Sequence, residues 1–215
     1  MSGALLFLSS NARSSQLLTL ADLATPGVSM TNGDKVFFNF QNISQVGDLT
    51  VPLSSIYVVP IIVGADYGIQ FQSSLWSLSG TGQNYDLGFT FQVMTADGQA
   101  LIDDNSLLVT GAIDFDGATH IAETITDTSF NPLASSLVYI TSTGQSFVDH
   151  EVFPGGPYAV IDISKDFSMT TGADPLSQVF VSHFDQVFSQ VPEPSSALFL
   201  GLGGLALACY RRFTS

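Results

Sequence analysis

Leu87-Gly88-Phe89-Thr90-Phe91-Gln92-Val93 is the stretch that decides the fold. Leu87, Phe89, Phe91 and Val93 fall on one face of an extended chain, opposite Thr90 and Gln92. A period of two marks a half-buried strand and excludes an amphipathic helix. Asp97-Gly98 follows and predicts a hairpin turn after this strand.

Working outward, the same grammar repeats. Strands are expected at Val36–Phe40, after an Asn32-Gly33-Asp34 turn, and at Ile56–Val63, which Pro60 should bulge or confine to an edge. Gly68–Leu78 should bend at Ser73-Ser74. Further strands are expected at Leu107–Phe115, His120–Thr126, Leu137–Ser142, Phe147–Phe153, Tyr158–Ile163 and Gln178–Phe188. Turn residues separate them at Asp116-Gly117, Asn131-Pro132, Thr143-Gly144 and Pro154-Gly155-Gly156-Pro157. The one helix expected before the tail is Leu17–Leu23, with Thr19 and Asp22 as a capping box and Pro26-Gly27 as its end. About ten short strands with so little helix predict an all-β antiparallel sandwich, jelly-roll-like, over residues 15–188.

Composition limits what such a body can do. Hydrophobic residues make up 45% of the chain and include 17 Phe, enough for a sizeable core, while charged residues are only 11%. The polar surface must therefore come from Ser, Thr, Asn, Gln and Gly. Residues 1–190 hold three basic side chains (Arg13, Lys35 and Lys165) against eighteen acidic ones, a net charge of −15. Such a body repels nucleic acid and anionic lipid. Cations or neutral polysaccharide remain as partners. Cys209, the only cysteine, lies at the far end of the chain, so no disulfide staples the body.

The last residues read differently. Val191-Pro192-Glu193-Pro194-Ser195-Ser196 precedes an uncharged run, residues 197–210, and then Arg211-Arg212. The prolines keep the segment around Glu193 extended and accessible. Fourteen apolar residues make a helix of about 21 Å, short of the ~30 Å hydrocarbon core. A core helix would fit that length, but this run has no polar face to turn to water. A thin span with snorkelling arginines fits better, and the Arg pair sits where a cytoplasmic anchor would.

This tail, residues 189–215, resembles a PEP-CTERM sorting signal, the C-terminal tag of exosortase substrates in Gram-negative bacteria. Pro192, Glu193 and Pro194 match the signature triplet, residues 197–210 the short membrane helix, and Arg211 and Arg212 the basic stop. Gly33-Asp34-Lys35-Val36-Phe37-Phe38-Asn39-Phe40 more loosely resembles a run near the start of such ectodomains. The resemblance implies a transient single-pass anchor in the inner membrane, processing by exosortase near the triplet, and delivery to the cell surface, envelope or extracellular, biofilm-type matrix. Export requires a leader. Residues 1–14 are read as the remnant of a signal peptide, with Ser10-Asn11-Ala12 as a small-x-small cleavage site. The alternative is that Ala4–Leu8 forms the first strand of the domain.

Chemistry in the body is sparse. No G-x-S-x-G, P-loop or G-x-G-x-x-G occurs, and the body is read as non-enzymatic. No cofactor is expected. Asp149-His150-Glu151 and His183-Phe184-Asp185 could bind a metal only if their strands were neighbours. Calcium is the better ion, with Asp103, Asp104, Asp114 and Asp116 as weak candidates, though neither acidic loop continues as an EF-hand. Asn42-Ile43-Ser44 fits a glycosylation sequon. Glu123, between Ile121 and Ile125, points to the core side unless the register puts it on a rim. The runner-up reading is a carbohydrate-binding or carbohydrate-active sandwich, which would present Trp76 or tyrosines in a groove.

Overall fold

The structure, a computed structural model, describes residues 17–96 and 101–191, with side chains through residue 189. Strands are numbered in chain order. One sheet runs β1 (Leu18–Thr19), β4 (Tyr57–Val63), β5 (Asp66–Gln72), β15 (Gln178–Phe188), β9 (Asp104–Asp114) and β13 (Val148–Val152). The short β6 (Ser77–Ser79) pairs with β15 beyond the end of β5. The second sheet runs β12 (Gly144–Ser146), β11 (Pro132–Thr141), β10 (Ala118–Asp127), β14 (Val160–Thr170), β7 (Asn84–Thr95), β3 (Lys35–Gly47) and β2 (Ser29–Asn32). A ribbon of β8 (Leu101–Ile102) and β16 (Gln190–Val191) stands apart. Each pairing is antiparallel, and the two sheets bury one shared core as a β-sandwich.

Alternation places the core. Leu87, Phe89, Phe91 and Val93 are all buried, and their neighbours on β7 are not. Phe71 of β5 is the hub between the sheets. Its ring lies 4.9 Å from Phe184 in its own sheet, and 5.1 and 6.1 Å from Phe89 and Phe91 in the other. Phe40, from a β3 bent by register shifts near Asn39 and Asn42, completes the cluster at 6.5 Å. Both asparagines have positive φ, which that side chain tolerates.

Several expectations need correction. The strand ending at Thr95 does not fold back as a hairpin, because β7 and β9 belong to different sheets. The Asp97-Gly98 turn itself lies outside the described residues. The helix is only α1 (Leu20–Leu23), capped by Thr19 and Asp22 as expected, because Leu18 and Thr19 pair with β4 instead. Pro60 causes no bulge: it stands opposite Ile69 in unbroken register. It sits on an edge, since β1 covers only Tyr57 and Val58 of β4, and there its missing N–H costs nothing. β14 continues seven residues past Ile163, to Thr170.

Ser189 to Val191, the start of the tail, is tied to the body. The Ser189 N–H donates to Asp104 Oδ1 at 3.1 Å, and Gln190 and Val191 pair with Ile102 and Leu101. The signal-peptide remnant expected at residues 1–14 and the sorting triplet, membrane helix and basic stop expected within 192–215 lie outside the described residues. Among the described residues, no helix is long and apolar enough to cross a membrane.

Candidate functional site

The outer face of the first sheet carries an aromatic groove. Tyr57 on β4 stands opposite Gln72 on β5, which stands opposite His183 on β15. At Val181–His183 the register of β15 against β9 shifts. That bulge leaves Ser182 and His183 both half-exposed, between buried Val181 and buried Phe184. The result is a depression of about 340 Å³ lined by Tyr57, Gln72, Ser73, Ser74, Phe180 and Ser182. Tyr57 and Phe180 keep 39% and 43% of their surface exposed. They lie two strands apart, about 10 Å across the sheet, with Phe180 three residues along β15 from His183, which is level with Tyr57. Rings with hydroxyls and amides between them can stack on, and hydrogen-bond to, a neutral polar ligand. Asp185 lies one step along the same face. Burial pushes its carboxyl above the usual range, while the Gln70 amide at 2.9 Å and nearby His183 pull it back.

A second cluster lies inside the sandwich. Ser136, Glu123 and Lys165 form a cross-strand row over β11, β10 and β14, all facing inward. Asn105 of β9 and Gln186 of β15 meet them from the other sheet, and all five side chains are buried. Lys165 Nζ contacts Glu123 Oε2 and donates to Gln186 Oε1. Asn105 Nδ2 donates to Glu123 Oε1 and, at 3.2 Å, to Ser136 Oγ. Gln186 Nε2 donates to Asn105 Oδ1 and, at 3.3 Å, to Glu123 Oε1. The Phe184 ring lies under Lys165 Nζ, its centroid 5.9 Å away. Burial pulls the Lys165 amine below its usual range, and the Glu123 carboxylate opposes that pull.

Glu123 therefore points into the core, not onto a rim. Its partners are not among the candidates that the sequence offers. Lys165 keeps the parity of Ile161, Ile163, Phe167 and Met169, a signal that could have found it. No local pattern marks Asn105 or Gln186. Trp76 is no groove residue. It is fully buried, edge-on to Phe167 and stacked on Phe184.

The metal candidates are dispersed. β13, with Asp149 and Glu151, and β15, with His183 and Asp185, lie on opposite sides of β9. Asp149 Oδ2 accepts the Leu137 N–H at 2.8 Å. His150 sits beside Ser106 at 2.9 Å and Asp104 at 3.8 Å. Asp103-Asp104 and Asp114-Asp116 occupy opposite ends of β9, about 34 Å apart. Asp116 Oδ2 already accepts the Ala173 and Asp174 N–H groups at 2.7 and 3.2 Å. Among the described residues, no three His, Cys, Asp or Glu side chains gather as metal ligands.

The sandwich thus ends in a ribbon that hands the chain to its tail. Residues 190–212 match the PEP-CTERM protein-sorting motif. The chain carries that signal, which marks an exosortase-targeted surface protein and implies export to the cell envelope or surface. In sequence, no curated protein matches this chain. Among solved structures it is similar to TmCBM61 in complex with beta-1,4-galactotriose, at 16% identity and TM-score 0.30, over 69% of this chain and 89% of that one. The mannan-recognising carbohydrate-binding module TmCBM27 aligns at 9% identity and TM-score 0.27, over 73% and 99%. A DUF4465 family protein from Bacteroides caccae ATCC 43185 aligns at 9% identity and TM-score 0.22, over 73% and 100%. At TM-scores this low, none of them assigns a ligand to this chain.

Proposed function

We propose that this is a non-enzymatic surface or matrix protein that passes through a transient inner-membrane stage. Residues 197–210 insert in the bilayer, Arg211 and Arg212 hold its cytoplasmic edge, and exosortase acts near Pro192, Glu193 and Pro194. The match of residues 190–212 to the sorting motif carries this reading. The ribbon of β8 and β16 adds a constraint, because the triplet starts one residue past a segment held to the body. Deleting residues 192–215 should move the body from the membrane fraction to the soluble one. Unchanged fractionation refutes the anchor.

The groove between Tyr57 and Phe180 favours a second, compatible reading, in which the delivered body binds extracellular polysaccharide. The strongly acidic body disfavours an anionic polymer and leaves a neutral one. Calorimetric titration with neutral glycan oligomers tests it, and the absence of any heat of binding ends it.

A further inference from the structure

Lys165 belongs to one sheet and Gln186 to the other, and both are buried. A buried ion pair next to a carboxamide is costly to keep, because the desolvation of two charges is only partly offset by their attraction. The same arrangement is suited to a reaction. Lys165 Nζ meets the Gln186 carboxamide on its oxygen side. Glu123 bridges the two, with Oε2 on the amine and Oε1 3.3 Å from the carboxamide nitrogen. Asn105 accepts from that nitrogen and fixes the carboxamide's orientation. The cluster is shut off from water, so hydrolysis does not compete.

We propose that Lys165 and Gln186 join in an intramolecular amide that staples the two sheets. Within the ion pair, Lys165 Nζ first passes a proton to Glu123 Oε2, which frees the nitrogen lone pair. The lone pair attacks Gln186 Cδ and forms the Nζ–Cδ bond. Glu123, now the carboxylic acid, delivers that first proton to the departing Nε2, and its regenerated carboxylate takes a second proton from Nζ. The Cδ–Nε2 bond breaks and ammonia leaves. Glu123 keeps one proton as a neutral carboxylic acid, hydrogen-bonded to the new amide. No oxidant, metal or co-reactant is required. Both buried charges disappear, and the low-dielectric surroundings that pull the amine toward its neutral form drive the same step. Fixed proximity supplies the rest of the acceleration. The body contains no cysteine, so this bond would be a covalent link that a disulfide cannot provide.

Peptide mapping tests it. The full chain is purified, denatured and digested with chymotrypsin, and the fragments are weighed. The expected result is one branched fragment, joining the peptide that ends at Phe167 to Asp185–Phe188, lighter than their sum by one ammonia. Recovery of both peptides in linear form, at unmodified mass, overturns the proposal. A branch from Lys165 to the Asn105 peptide instead overturns Gln186 as acceptor. Glu123→Gln should yield the two linear peptides, and a bridge that persists in that variant removes Glu123 as proton carrier. The wild-type digest decides the bond itself even where the variant does not fold.

Discussion

Phe71→Ala should be among the most damaging single changes in the body. The ring is fully buried and meets four others, at 4.9, 5.1, 6.1 and 6.5 Å, three of them in the facing sheet. Truncating a buried Phe costs about 3–5 kcal/mol, and the cavity left here borders rigid rings and cannot easily collapse. The lost aromatic pairs, about 0.5–1.5 kcal/mol each, put the expectation near the upper half of that range, roughly 4 kcal/mol. That is a large share of a typical stability of about 5–15 kcal/mol. With a urea slope of about 2 kcal/mol/M, the midpoint should fall by about 2 M at unchanged slope. Phe130→Ala is the control, because that ring is 81% exposed and should shift stability by no more than about 0.5 kcal/mol. If Phe71→Ala costs less than about 1 kcal/mol, the aromatic cluster does not clamp the two sheets.

Two further outcomes are expected. Burial pushes the Tyr85 phenol up to about 12, against the pull of Trp76. The folded state then holds this proton where the unfolded chain releases it, so stability is full below about pH 10 and falls as pH rises toward 12. Thermal melts of Tyr85→Phe across that window should show a shallower decline, and parallel curves would refute the assignment. Tyr57→Ala with Phe180→Ala should weaken any neutral-glycan binding by tenfold or more while leaving the melting temperature within about 2 °C. Undiminished binding would move the ligand off this groove.

What the sequence disclosed follows from what is local. Leu87, Phe89, Phe91 and Val93 announce their buried face by alternation alone, and Thr19 with Asp22 announces the cap of α1, because each signal spans a few residues. Sheet membership is not local. Asp97-Gly98 reads as a hairpin turn, yet β7 before it pairs with β14, and β8 and β9 after it pair with β16 and β15, far along the chain. The inner polar cluster shows the same limit. Alternation marked Glu123, and the strand expected at Tyr158–Ile163 stops short of Lys165. Only the register of β10 against β14 puts the two opposite each other, and only the stacking of the sheets brings Asn105 and Gln186 to them. The groove depended on a bulge at Ser182, which no residue type in β15 signals. The tail was the reverse case, because the order of triplet, apolar run and arginines is itself local.

The sorting account is tested most directly by the C-terminus of the mature protein, determined by mass spectrometry from cells with and without exosortase. With the enzyme, the chain should end near Pro192–Pro194 and lack residues 197–212. Without it, the chain should keep Arg211 and Arg212 and sediment with membranes. An intact C-terminus in both strains would contradict the account.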